Sequence, residues 1–168
     1  MKLAKFFCGI LINNSINIDE INSILSDEFG EMETISEIFN FTETDYYFKE
    51  MGNVKRYWVV FKDEKSIEDL SIIKKNANKI EDRFLTDKNR NVNLDPGYLT
   101  AAKVVLASTK NFTHRIYVGN DIFAEVTLYY KKGTFREWPW SYADYKSEYG
   151  IKFFNNIRKE YMISIKRK

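Results

Sequence analysis

The order in which the hydrophobic period changes along the first hundred residues constrains this chain more than any other feature. Residues 5–12, KFFCGILI, make an apolar run of strand length, the pattern of a strand buried on both faces. In the following NIDEINSILSDEFG, the residues Ile18, Ile21, Ile24, Leu25 and Phe29 recur at helical spacing; Asn17 or Asp19 can cap the start, and Gly30 suits the end. METISEIFNF and VKRYWVVFK are β-branched and aromatic, and predict a second and a third strand on either side of the loop TETDYYFKEMGN. SIEDLSIIKKNANKIEDRF predicts the clearest helix, with Ser66 as cap, Asp69 three residues on, and a stripe of Leu70, Ile73, Ala77, Ile80 and Phe84. NVNLDPGY then reads as a fourth strand ending in a Pro-Gly turn.

The order β-α-β-β-α-β predicts an α+β fold, a ferredoxin-like sandwich. The remainder predicts its extensions: a short helix near 100–109, a β-hairpin over 114–136, and an amphipathic C-terminal helix with apolar Ile151, Phe154, Ile157 and Tyr161. No repeat, low-complexity stretch or linker interrupts the chain, so residues 1–168 read as one α+β domain.

Hydrophobic residues at 44% beside 30% charged residues exclude intrinsic disorder. A single cysteine, Cys8, and a single histidine, His114, exclude an internal disulfide and a Cys/His zinc site built from one chain; no metal is expected and no particular cofactor is indicated. Cys8 lies inside an apolar run, where a buried, inert thiol is expected. Lys2 and Lys5 before that run give it a superficial likeness to a signal peptide, but it passes into NNSIN without a small-residue cleavage site. No other stretch approaches the length of a membrane span, so a cytoplasmic protein with no membrane partner is expected.

Charge is uneven along the chain. Residues 19–50 carry ten acids against Lys49 alone, whereas residues 146–168 carry seven bases against Glu148 and Glu160. A basic C-terminal helix can meet RNA or an acidic partner, or can simply be a solvated face.

Two stretches could carry chemistry. In LDPGYLT, the plain reading is a strand-to-helix corner: Pro96 presets φ, Gly97 supplies a positive φ, Thr100 caps the helix, and Asp95 bonds its own turn. The sharper reading makes that corner an anion site, with Asp95 as base or metal ligand. In the hairpin, a two-residue Gly119-Asn120 turn sets His114 opposite Glu125. A three-residue Gly119-Asn120-Asp121 loop instead gathers Ile116, Val118, Ile122, Ala124, Val126 and Leu128 on one face and sets Arg115 opposite Glu125. Patterning favours the second register. Either pair is adequately explained as a cross-strand contact of about 0.2–1 kcal/mol. Either can also work: a carboxylate-tuned histidine as general base, or a held arginine as anion binder.

Tyr46 and Tyr47 in TETDYYFKEMG, and Trp138, Trp140 and Tyr142 in EWPWSYADY, could cover the core or stack on a planar ligand with Asp45 or Asp144 as polar partner. Gly-rich phosphate loops and the nucleophile elbow are absent.

NLDPGYLTAAKVVLASTKNFTHRIYVGNDIFAEVTLYYKKGTF, with WPWSYADY after it and FTETDYYFKEMG and FFCGIL before it, resembles an uncharacterised prokaryotic family described as a domain of unknown function. Some members are labelled GTP-binding proteins, but this chain departs from the GTPase pattern in lacking the phosphate loop. The resemblance brings no established catalytic residues. It implies a small soluble protein whose distinctive positions are Asp95, His114, Arg115, Glu125 and the aromatic loops.

The expected function is therefore binding, with or without turnover, of an anionic or phosphorylated small molecule, a nucleotide being one candidate. Asp95, His114 and Glu125 are the expected catalytic group, and Arg115, Asp45, Tyr46, Trp140 and Tyr142 the expected ligand contacts. The alternative is an RNA-binding module that uses the aromatic loops and the basic C-terminal helix.

Overall fold

The computed structural model describes residues 2–41 and 49–167. The expected β-α-β-β-α-β order of the first hundred residues is present in strand β1 (Leu3–Asn13), helix α1 (Ile18–Phe29), strands β2 (Met32–Ile35), β3 (Phe39–Phe41) and β4 (Val54–Phe61), helix α2 (Leu70–Asp82) and strand β6 (Val92–Leu99), with the short strand β5 (Lys65–Ser66), not foreseen in the sequence, before α2. Asn17 caps α1 by accepting the Asp19 N–H at 2.8 Å, and Gly30 ends it at φ +101°. Ser66 caps a single helical turn that leads into α2, accepting the Glu68 N–H. METISEIFNF divides into β2 and β3, both paired with β4, and the Ser36 N–H bonds the Trp58 carbonyl between them.

The chain continues as β7 (Lys103–Ser108), β8 (Arg115–Tyr117), β9 (Phe123–Lys131), β10 (Thr134–Glu137), the one-turn helix α3 (Ala143–Lys146) and the long helix α4 (Glu148–Lys166). An antiparallel sheet runs β10-β9-β7-β6-β1-β4-β2, with β3, β5 and β8 attached at its margins. Among the described residues no helix is long and apolar enough to cross a membrane.

Strand alternation sends two sets of side chains to opposite faces. On one face Phe6, Cys8, Ile10, Tyr57, Val59 and Leu94 pack with α1 and α2. On the other Phe7, Trp58, Val60, Leu99, Val104 and Leu128 pack with Phe153, Phe154 and Ile157 of α4. The second core is largely aromatic, with Trp58 stacked on Phe153 at 5.4 Å and Tyr145 on Phe154 at 5.4 Å. Both faces of the central strands are thus covered, which accounts for their near-continuous apolar sequences.

Two expectations are corrected. Residues 100–109 contain no helix; Lys103–Ser108 is strand β7, and the Thr100 N–H bonds the Lys103 carbonyl to close the turn before it. KVVLAS is β-branched and buried from Val104 to Ala107, so burial in the sheet outweighs the capping signal at Thr100. Nor is DPGY a turn, because Asp95, Pro96 and Gly97 all lie within β6. Pro96 is tolerated because pairing with β7 begins one residue later, at Gly97↔Leu106. Gly97 serves close approach and not positive φ: a Cβ there would strike the Val105 carbonyl oxygen and come within 2.8 Å of the Phe7 ring.

The hairpin adopts the register with the longer loop, pairing Arg115 with Glu125 and Ile116 with Ala124. The expected common apolar face does not extend to Leu128: a bulge in β9 opposite Val104–Val105 turns Leu128 to the α4 side, while Ile122 is enclosed on the α1/α2 side and Ile116 is 73% exposed.

Candidate functional site

β6 and β7 are paired only over Gly97–Leu99 and Val104–Leu106, and then diverge. Beyond Gly97 the edge of β6 is served by side chains of α2 instead of a strand. Glu81 accepts the Leu94 N–H at 2.6 Å, and the Lys74 ammonium donates to the Leu94 carbonyl at 2.6 Å. A buried lysine and glutamate seven residues apart thus satisfy backbone groups that would otherwise be orphaned. The divergence opens a cleft of two adjoining chambers, of about 120 Å³ and about 370 Å³. Asp95, Leu106, Lys110, Arg115 and Tyr142 line both.

The smaller chamber is polar. Lys74, Asn78, Arg90 and Asn93 line it alongside Asp95 and Arg115. Arg90 is held bidentately by Glu50, with Nε and Nη2 at 2.8 and 2.9 Å, and donates to Asn93 Oδ1 at 2.8 Å; that arginine in turn keeps the Glu50 carboxyl below the usual carboxylate range.

The larger chamber has aromatic walls from Phe41, Phe112, Trp140 and Tyr142 and a charged floor of Arg56, Asp95 and Asp144. Arg56 is 4% exposed; its Nε lies 2.8 Å from Asp144 Oδ2, and its Nη1 lies 3.6 Å from Asp95 Oδ2. Burial pushes the Asp144 carboxyl up, against the downward pull of Arg56. Burial likewise pushes Glu81 up, opposed by Lys74. Asp95 is the most accessible of these carboxylates. Its Oδ2 accepts from Asn93 at 2.8 Å, and its Oδ1 is 4.0 Å from the Lys74 ammonium.

Glu125, 1% exposed, organises one wall. Its Oε2 receives both His114 Nε2 at 3.0 Å and Arg115 Nε at 2.9 Å, and its Oε1 accepts the Thr127 hydroxyl at 3.1 Å. An ionised carboxylate can only accept, so His114 Nε2 is the donor to Glu125, and a neutral imidazole held this way carries its acceptor at Nδ1. Both partners considered for Glu125 in the sequence therefore reach it: Arg115 directly across the strands, and His114 from the residue before.

Arg115 also donates to Ser108 Oγ, the Lys110 carbonyl and Tyr142 Oη, each within 3.0 Å. It ties β7, the loop after it and the 138–142 segment together at the cleft mouth. Four of its five N–H groups are engaged in this way.

The aromatic segment is built as a column. Phe112, His114, Trp140 and Trp138 follow one another at centroid separations of 6.0, 4.9 and 5.1 Å, all within 22° of parallel. Trp140 Nε1 donates to the Val126 carbonyl at 3.0 Å, which fixes the column to β9. His114 and Trp138 thus occupy the ring of Trp140; Phe112, over whose ring the Arg115 guanidinium lies at 4.9 Å, and Tyr142 are the more exposed rings of the chamber, at 55% and 44%.

Of the residues singled out in the sequence, Asp95, Arg115 and Tyr142 line both chambers, Glu125 the polar one, and His114 and Trp140 the aromatic one. Asp45 and Tyr46 lie outside the described residues. Arg56, Lys74 and Glu81 were missed. Each had a signal: Arg56 shares a strand face with Trp58 and Val60, and Lys74 and Glu81 fall within the inward stripe of α2 with Leu70 and Ala77. No group of three or more histidine, cysteine or acidic side chains that could hold a metal occurs among the described residues.

The chain belongs to the family described as Domain of unknown function (DUF4416), whose model matches residues 2–161. No curated protein and no solved structure matches it.

Proposed function

We propose that this member of the DUF4416 family is a cytosolic small-molecule-binding protein, with a ligand that joins a planar apolar portion to an anionic group. The observation that carries this reading is the divergence of β6 from β7, around which Asp95, His114, Arg115 and Tyr142 converge from distant parts of the chain. The planar portion fits the aromatic chamber against Phe112 and Tyr142. The anionic group fits the polar chamber beside Lys74, Lys110 and the remaining Nη2 hydrogen of Arg115.

Charge is in keeping with an anion: Arg56, Lys74, Lys110 and Arg115 all line the cleft, and burial raises the pKa of two of the carboxyls that oppose them, Glu81 and Asp144. In its neutral form His114 would offer an acceptor at Nδ1 with its ring held by Glu125 and Trp140, the arrangement of a general base should the ligand be turned over. The order β6-β1-β4-β2, connected through α1 and α2, favours reading the scaffold as a ferredoxin-like sandwich to which β7–β10 and α4 are added.

The test is a thermal-shift screen of phosphorylated metabolites, nucleotides and aromatic carboxylates. A ligand at a hundred times its dissociation constant stabilises the native state by about 2.7 kcal/mol. One chemical class should raise the wild-type Tm, and Asp95→Asn and His114→Ala should each reduce or abolish that rise. A panel with no shift, or a shift that persists undiminished in both variants, defeats the reading.

A further inference from the structure

We propose that a second groove, between α4 and the β9–β10 hairpin, binds the phosphate backbone of a single-stranded nucleic acid. The groove encloses about 450 Å³ and shares no lining residue with the cleft. Arg158, Lys159 and Lys166 line it, and among the described residues no carboxylate does.

The cations form a row. Lys152, Lys159 and Lys166 are exposed and recur every seven residues along α4. Seven residues advance a helix by about 10.5 Å and return to within about 20° of the same direction, so the row extends roughly 21 Å along the helix. Glu160 lies about 100° round the helix from Lys159, and Glu148, one turn before Lys152 on the same face, bounds the N-terminal end of the row. Across the groove stands Gly133, at the hairpin turn that also carries the exposed Lys131 and Lys132.

Arg158 is preorganised. Its guanidinium lies 3.4 Å from the centroid of the Tyr130 ring, and its Nε donates to the Ala101 carbonyl at 2.7 Å. A cation held at a fixed place costs less ordering on binding than a freely moving lysine.

An extended row of positive charge without interleaved acids matches a polymer of phosphates, whereas a single small anion would engage one or two of these groups. The concavity separates a strand from a bilayer: Arg158 is half-buried against Tyr130 between helix and hairpin, where a strand can enter and a flat lipid surface cannot. The cleft is not required for this contact, so the two readings stand or fall separately.

Fluorescence anisotropy of the full chain with labelled oligouridylate and oligothymidylate tests the proposal. Binding should weaken steeply between 50 and 200 mM salt, with a log–log slope of about −0.7 for each phosphate neutralised. The charge reversal Lys159→Glu/Lys166→Glu should lower affinity at least tenfold and flatten the slope by about 1 to 2, with Lys159→Gln/Lys166→Gln in between. Both lysines are exposed, so both double variants should keep the wild-type Tm. Asp95→Asn, in the cleft, should bind like the wild type. Binding of either oligomer with these properties upholds the site, and a preference between them tells whether the 2′-hydroxyl is read. Absence of binding to both, affinity unaffected by the charge reversal, or binding to phosphatidylserine vesicles without oligomer binding overturns it.

Discussion

The two faces of the sheet are built from the same strands and have opposite chemistry. On the face covered by α1 and α2, β1, β4 and β6 present Cys8, Tyr57 and Leu94, all fully buried. One residue along on the same strands, the other face presents Gly9, Arg56 and Asp95. The first face gains stability from close apolar packing. The second interrupts its aromatic core with a charged floor, and Gly9 leaves room for it: a Cβ there would lie 2.8 Å from Tyr145 Oη and 2.9 Å from Arg56 Nη1. Buried charge is costly to desolvate and contributes little net stability even when paired. Around Asp95 it borders the cleft, where buried Lys74 and Glu81 of α2 join it from the other side of the sheet.

The largest test of this contrast compares neighbours in β4. Arg56→Ala leaves the buried Asp144 without its partner and should cost about 3–5 kcal/mol in chemical denaturation. Tyr57→Phe, facing the other way, removes one hydroxyl bonded to Asn22 at 2.9 Å and should cost about 0.5–1.5 kcal/mol. Similar losses at the two positions would break the contrast.

An intermediate effect is expected at the hinge of the cleft. Gly97→Ala introduces a methyl group against the Val105 carbonyl and the Phe7 ring, and should cost about 1–3 kcal/mol. If the variant instead matches the wild type in Tm, the close approach of β6 and β7 is not what holds their junction.

The smallest effect is a pH dependence. Burial raises the pKa of Glu81, so the protonated form is favoured more in the folded chain than in the unfolded one. Its contribution is therefore fully present below the unfolded value near about 4.3 and is lost as pH rises through the higher folded value. Glu81→Gln removes that titration. Relative to this variant, the wild type should lose stability as pH is raised from about 4; a constant difference between the two denaturation curves across that range would show that Glu81 does not titrate abnormally.

Local pattern carried much of this architecture. α1, with its Asn17 cap and Gly30 end, follows from apolar spacing and termini alone, because those signals lie within a few turns of one another. The Arg115↔Glu125 register agrees with the alternation of Ile116, Ile122, Ala124 and Val126, which ends there because the bulge opposite Val104–Val105 turns Leu128 to the other face. Residues 92–109 misled because Pro, Gly and Thr signal turns only when the sheet does not claim them. There β6 runs through Pro96 and β7 buries Val104–Ala107, both through pairings with distant strands.

The sequence by itself determined the β-α-β-β-α-β order through residue 99, though not the division into β2 and β3 or the short β5, and it determined the C-terminal helix and the choice of Asp95, His114, Arg115 and Glu125 as candidate residues, because hydrophobic period and chemical type are local properties. Only the tertiary structure decided that β6 and β7 diverge, that Lys74 and Glu81 complete the open edge, and that Arg56 and Asp144 form the floor beneath Asp95. These arrangements depend on which strands become neighbours, and that is set by the burial of both faces of the sheet at once.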